Sequence, residues 1–314
     1  MKRKIVFAAA ACLVCLAVPA VRAISCTNAP DDGQVRADSI ASNADGLSSE
    51  NECLKNVAYT SADSLRVVQL LRADTATNAV LTYARAFIGV PYVAHTLEGW
   101  EPERLVVNLH ELDCTTFVET VCALAMTKRQ SSDRFADYCQ NLQRLRYRGG
   151  KMAGYLSRLH YFTWWFHDNL SLGLFSEVRD AKYATAPMNV DNHYMSQHPD
   201  LYEHLKGHQD RIDSIAAEEA RFNGPDGTYF PESILNLPRT TLTSIHDGDV
   251  IAIVTTKDGL DYSHLGFATW GKDNRLHLLN ASSVYHKVVE DANTLFAYLQ
   301  KRKTSVGIRL MRLR

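Results

Sequence analysis

The hydrophobic pattern opens with an apolar run, Ile5 to Pro19, behind the basic residues Lys2, Arg3 and Lys4. Val21 and Ala23 supply small residues on either side of Arg22. This is the layout of a secretory signal peptide, so residues 1–23 are expected to be removed on export. The run is short for a bilayer, and no later segment approaches ~20 consecutive apolar residues, so no stable membrane span is expected. Residues 27–52 are rich in Asp, Asn, Ser and Gly with few large apolar side chains; 24–63 therefore predicts a polar linker or arm.

From Ser64 the pattern changes. Val80, Leu81, Ala84, Phe87 and Ile88 recur at helical spacing until Gly89 and Pro91. Phe117, Val121 and Leu124 mark a helix over about 115–127, and Phe135, Tyr138, Leu142 and Leu145 mark another over 132–146. The C-terminal part reads as strands: Val250–Val254, His264–Trp270, Leu276–Ser282 and Ser305–Leu313, the second and third joined at the turn Gly271-Lys272-Asp273-Asn274. Helices followed by an antiparallel sheet predict an α+β fold. Residues 147–246 lie between the two parts, carry an aromatic block from Tyr155 to Phe166, and are long enough for an inserted subdomain within a domain spanning 64–314.

Composition narrows the function classes. With 46% hydrophobic and 22% charged residues the chain is ordinary globular protein. Loss of Lys2, Arg3, Lys4 and Arg22 would leave 30 basic against 35 acidic side chains; this excludes the basic face that a nucleic-acid partner demands. Of seven cysteines, Cys12 and Cys15 leave with the signal. Cys26, Cys53, Cys114, Cys122 and Cys139 remain, an odd number that leaves at least one thiol in an oxidising compartment. Cys26 and Cys53 flank the polar segment and are a candidate pair. Alternatively Cys26 is a lipid anchor, since Ala23-Ile24-Ser25-Cys26 loosely resembles a lipobox, although the nearby Arg22 counts against it. Cys114 and Cys122, on one helix, would lie about 12 Å apart and cannot bridge.

Cys114 falls where helical periodicity begins. A thiol at a helix N-terminus meets the positive end of the macrodipole and unpaired N–H groups, which favour thiolate and can hold an oxyanion; a buried structural thiol is the alternative. If Gly271-Lys272-Asp273 is a three-residue loop, His264 and Asn280 stand directly opposite each other on one face. Asn280 would then orient the imidazole and leave its other nitrogen to take the thiol proton, the Cys–His–Asn logic of papain-like hydrolases. A His and an Asn facing solvent from a sheet is the plainer alternative.

Five ordered segments, Gly89-Val90-Pro91-Tyr92, Asp113-Cys114-Thr115-Thr116-Phe117, Asp249-Val250-Ile251-Ala252, Ser263-His264-Leu265-Gly266-Phe267 and Leu279-Asn280-Ala281-Ser282, resemble the motifs of the NlpC-type cysteine peptidases and amidases. The resemblance covers nearly all of 66–314 and implies a papain-like α+β core acting on bacterial cell-wall peptides. Cys114 and His264 are 150 residues apart, far more than in compact members. The extra block, with Arg158-Leu159-His160-Tyr161 and Tyr194-Met195-Ser196, resembles the N-acetylmuramoyl-L-alanine amidase-like branch. That implies cleavage between muramic acid and L-alanine, with a preference for 1,6-anhydro-muropeptides, in the periplasm. By the same resemblance Cys114 is the nucleophile, His264 the base and then acid, and Asn280 the orienting group, where the superfamily often has His. Tyr92 would reach the reacting centre and Thr115 stand beside the nucleophile; no cofactor or metal is implied. Trp164 and Trp165 are expected as a sugar-stacking platform, with aromatic core as the alternative. Rival readings are a γ-D-glutamyl endopeptidase, a peptidoglycan-binding module without catalysis, and a zinc amidase using His204 and His208 at i, i+4. No heptad pattern fixes an oligomeric state.

Overall fold

A computed structural model of the chain describes residues 54–75 and 77–314. The expected signal peptide, Cys26, Cys53 and most of the polar arm lie outside the described residues. The described chain is mixed α+β: helices α1 (Ser61–Arg72), α2 (Ala79–Arg85), α3 (Cys114–Arg129) and α4 (Phe135–Arg146) precede most of the sheet. Two short strands, β1 (Val57–Ala58) and β2 (Leu105–Val106), pair in parallel beside them. Helix α1 starts inside the stretch expected as an arm. Its cap is a capping box in which the Asp63 N–H donates to the Thr60 hydroxyl at 3.2 Å and the Thr60 N–H donates to the Asp63 carboxylate at 3.0 Å. Helix α4 starts three residues later than its periodicity suggested, because the Ser132 hydroxyl accepts the Arg134 N–H and donates to Asp137, holding 132–134 outside the helix.

The remaining elements are β3 (Phe175–Glu177), β4 (Ala186–Val190), β5 (Gly224–Pro231), β6 (Val250–Thr255), β7 (Tyr262–Trp270), β8 (Leu276–Ser282), β9 (Lys287–Glu290) and β10 (Ser305–Leu313), with helices α5 (Phe162–Ser171), α6 (Tyr194–Gln197), α7 (Gln209–Phe222) and α8 (Leu295–Gln300). The strands form one antiparallel sheet in the order β4-β5-β10-β6-β7-β8-β9, with β3 also paired to β10. Strand β6 reads as an unbroken apolar run because both its faces are covered. Val250, Ala252 and Val254 share a core with α3, Phe267 and Leu279, whereas Ile251 and Ile253 pack with Leu278, Leu295, Leu299, Ile308 and Leu310 around α8.

The block at 147–246 does not fold apart. Its strands β3 and β5 hydrogen-bond to β10, and Trp164, Trp165, Phe166 and Phe175 belong to the same core as α3. The aromatic block that suggested a subdomain therefore closes the main core.

The β7–β8 hairpin differs from its expected register. Trp270 pairs with Leu276 and Phe267 with Leu279, so five residues, Gly271 to Arg275, make the loop rather than three. The Asn274 N–H closes the turn on the Gly271 carbonyl at 3.0 Å and Asn274 takes φ 61°, which delays pairing until Leu276. Two added loop residues preserve side-chain alternation. His264 and Asn280 are therefore diagonal neighbours rather than directly opposed, and still share a face.

Candidate active site

Helix α3 presents Cys114 at its first position. Asp113 caps it: the Thr116 N–H donates to the Asp113 carboxylate at 2.8 Å and the Asp113 N–H donates to the Thr116 hydroxyl at 2.9 Å. From Thr116 to Thr127 every side chain of α3 is buried. The helix is fixed through its length while its first turn faces a cavity, and the first-turn N–H groups of Cys114 and Thr115 have no acceptor within the helix. Cys114, Cys122 and Cys139 are buried and none is in a disulfide. The Cys122 thiol is pushed well up by burial and stays inert.

His264 pairs across the sheet with Ile253, which places it on the face covered by α8. Its Nε2 lies 2.9 Å from Asn280 Oδ1. The Asn280 amide NH2 points to the Leu278 carbonyl at 3.4 Å, so the amide oxygen is the atom turned to the imidazole. An oxygen acceptor requires Nε2 to carry the proton, leaving Nδ1 with a lone pair. Gly266 makes the diagonal contact possible, because a Cβ there would come 3.0 Å from the Asn280 Cβ and 2.7 Å from the Leu279 carbonyl oxygen.

Two residues unassigned from sequence complete this side. The Tyr298 ring lies nearly parallel to His264, 21° between planes and 6.4 Å between centroids, and the Arg302 guanidinium sits 3.5 Å over Tyr298. Tyr298 is also within electrostatic reach of Cys114, and its hydroxyl is pushed up to about 12 by burial. The sequence signal was Thr294, whose hydroxyl caps the short helix α8 by accepting the Ala297 N–H at 3.2 Å.

Cys114 and His264 line one cavity of about 180 Å³ together with Tyr92, Thr115, Asp113 and Glu119. The structure thus brings together five of the seven residues singled out from sequence, Asn280 entering through its bond to His264. Trp164 and Trp165 are corrected. They are 0% and 1% exposed, packed against Tyr161 and Phe162 respectively, and are not among the residues lining the cavity. A ring with no accessible face cannot stack a sugar; the pair is aromatic core. His204 and His208 are also not on one helical face, since 203–207 is a run of turns and His208 precedes α7. His204 is buried between Glu98 and Glu101. Among the described residues no three His, Cys, Asp or Glu side chains are grouped to hold a metal ion.

The far wall carries buried charge that periodicity could not reveal. Arg146 and Glu119, both 3% exposed, pair at 2.7 Å, and Arg158 pairs with Glu98 and Glu103. His160 stands beside Arg158 and bonds through Nε2 to the Tyr155 carbonyl at 3.0 Å.

Burial lowers the pKa of His264 to about 4, opposed by its bond to Asn280 and assisted by Arg302; burial lowers that of His160 to about 3, assisted by Arg158. Unfolded histidine titrates near ~6.5. Below that pH the unfolded chain binds protons that the native chain does not, so the stability held above pH ~6.5 is lost as pH falls toward each folded value. Urea titrations between pH 7 and 4.5 are expected to show this loss, and His264→Gln is expected to remove about one proton from the unfolding linkage. An unchanged linkage would show that the imidazole takes its proton in the folded protein.

Comparison with known proteins places this site in a family. The N-acetylmuramoyl-L-alanine amidase-like family, AmiA-like, matches residues 82–308, and the chain belongs to it. A solved structure named as an N-acetylmuramoyl-L-alanine amidase, from Bacteroides uniformis, is similar at 38% identity and TM-score 0.70, over 75% of this chain and 97% of that one. A Bacteroides fragilis structure bearing a provisional xylanase name is similar at 40% identity and TM-score 0.69, over 74% of this chain and all of that one. A Legionella pneumophila protein is similar at 25% identity and TM-score 0.59, over 85% of this chain and 96% of that one. No curated protein sequence matches the chain significantly.

Proposed function

We propose that the protein is a cysteine-dependent N-acetylmuramoyl-L-alanine amidase that hydrolyses the bond between the lactyl group of 1,6-anhydro-N-acetylmuramic acid and L-alanine. The observation that carries this reading is the shared cavity: a helix-start thiol and an Asn-oriented imidazole open onto one space. On this reading the fold is a papain-like core of the NlpC type enlarged between nucleophile and base, and the chain acts after export, on periplasmic wall fragments in peptidoglycan turnover. Among the described residues no helix is long and apolar enough to cross a membrane.

In this mechanism Nδ1 of His264 takes the Cys114 proton while Nε2–H stays on Asn280. The thiolate adds to the lactyl carbonyl, and the N–H groups of the first turn of α3 receive the oxyanion. Collapse transfers the proton from His264 to the departing L-alanine nitrogen and leaves a thioester on Cys114. Water, deprotonated by His264, then releases the muramic acid carboxylate. The low pKa of His264 suits this role, because the imidazole is neutral and ready as a base in the free enzyme. A glycosidase would need two carboxyl groups flanking a sugar bond. Here Glu119 is held by Arg146, Asp113 by the cap of α3 and Asp261 by the Thr163 and Tyr262 N–H groups, which leaves Glu98, itself bonded through one oxygen to Arg158, without a second free carboxyl group across the cavity.

Incubation with an anhydro-disaccharide tetrapeptide and its reducing-end counterpart, followed by mass spectrometry, is expected to yield free tetrapeptide, faster from the anhydro compound. Release of a dipeptide would instead make the enzyme a γ-D-glutamyl endopeptidase, and no product would favour a binding module. Asn280→Ala is expected to lower kcat by about 10²-fold, because the imidazole loses its tautomer and orientation. A kcat within a factor of two of wild type would remove Asn280 from the mechanism.

A further inference from the structure

The cavity wall formed by the segment 95–98 carries acceptors that the protein does not use. Arg158 is committed to protein acceptors: Nε and Nη2 clamp the Glu103 carboxylate at 2.9 and 2.8 Å, Nη1 donates to Glu98 Oε1 at 2.6 Å and Nη2 also reaches the Leu97 carbonyl at 3.4 Å. Both oxygens of Glu103 are bonded as well, since the Tyr147 hydroxyl adds a third donor at 2.8 Å. Those of Glu98 are not. Its Oε2 is buried and accepts no hydrogen bond; His204 Nε2, buried and likewise without one, faces it at 3.5 Å. The Thr96 hydroxyl, also on the cavity wall, is likewise buried without a partner. Buried acceptors left unpaired are costly, and they cluster where a ligand supplies the missing donor.

Charge points the same way. One guanidinium is shared by two carboxylates, so this corner is negative unless His204, between Glu98 and Glu101, is protonated. The subsite therefore takes a donor and repels an acceptor. In the substrate of the proposed reaction the choice is small. The 1,6-anhydro bridge removes the hydroxyls at C1 and C6, the lactyl ether that at C3, and in the disaccharide the glycosidic bond that at C4. Among the sugar's own groups the acetamido N–H, on the ring carbon next to the lactyl-bearing one, is the donor nearest the bond to be cut; the stem amides lie on the leaving-group side. With the lactyl carbonyl at Cys114, this N–H reaches the wall of the same cavity.

The geometry points to Glu98, supported by Thr96, as a specificity-determining subsite for the acetamido N–H of the muramoyl sugar, an inference that rests on the amidase reading above. Arg158 fixes the carboxylate by one oxygen and leaves the other for the substrate. The test is binding of anhydro-disaccharide peptides to protein carrying Cys114→Ala, measured by calorimetry, which does not depend on turnover. Glu98→Gln inverts the subsite: its amide oxygen stays with Arg158 and its NH2 turns to the cavity. In the Cys114→Ala background it is expected to weaken binding of the N-acetyl compound by about 10–100-fold. A 2-deoxy analogue, lacking the acetamido group, is expected to bind both proteins equally. Thr96→Val, which leaves the Arg158 pairs intact, is expected to lose about 3–10-fold on the N-acetyl compound alone, and carries the test if Glu98→Gln fails to fold. Equal binding of the N-acetyl compound by the Glu98 and Thr96 variants and their parent would overturn the subsite. Sensitivity that survives in the 2-deoxy analogue but vanishes when the stem is cut to L-Ala-D-Glu would overturn the acetamido assignment in favour of a stem-peptide ammonium. Failure of Cys114→Ala itself to bind any of these compounds would overturn the amidase reading and the subsite with it.

Discussion

Cys114→Ala protein is expected to fold with an unchanged far-UV spectrum and to lose muropeptide hydrolysis by about 10⁴-fold or more. The fold should tolerate the change because Cys114 sits at the first turn of α3, where the cap is made by Asp113 and Thr116 rather than by the thiol. Removing the sulfur deletes the only protein atom that forms a bond to the acyl group in the proposed mechanism. The residual rate then comes from binding and from the helix N–H groups alone. Iodoacetamide is expected to reproduce the loss in wild type, while Cys122, fully buried with its thiol pushed up, should resist the reagent. Hydrolysis by the alanine variant within tenfold of wild type would remove the thiol from the chemistry.

The second large effect is on stability. Arg146→Ala is expected to cost about 3–5 kcal/mol, because it strands the Glu119 carboxylate in the core beneath the cavity. Both side chains are 3% exposed; the Arg146 Nε donates to Glu119 at 2.7 Å and Nη1 donates to the Val106 carbonyl, also at 2.7 Å. The variant loses all these bonds and the charge compensation together. Replacing both residues, as Glu119→Leu with Arg146→Met, is expected to recover most of the loss, since a buried ion pair is worth little against an apolar pair of similar volume. Urea unfolding of the single and double variants measures this. A single variant within about 1 kcal/mol of wild type would mean that water reaches Glu119.

Local signals carried much of the architecture. The apolar period of α3, the continuous run of β6 and the alternation in β10 depend on neighbours in sequence, so they can be read from it. Cys114 was legible for the same reason: a helix start is a local event. His264 and Asn280 were legible because a hairpin is nearly local and the loop-length error was an even number of residues, which preserves the face. Where a signal served two outcomes, the sequence could not choose. An aromatic block such as Trp164-Trp165 packs a core or stacks a sugar with the same composition, and only the exposure of the rings separates the two.

By itself the sequence determined the α+β order, the helix-start cysteine, the shared face of His264 and Asn280, and the likeness to a wall-amidase family. Tertiary structure alone decided the rest. It folded the 147–246 block onto β10 and the core of α3, laid Tyr298 and Arg302 beside the imidazole, and set Arg158 between Glu98 and Glu103 across a long stretch of chain. Those pairings are between residues far apart in sequence, and whether a charge is buried, paired or left facing a cavity depends on what the fold brings against it. Periodicity records which face of an element is apolar; it carries no record of which distant side chain will meet that face.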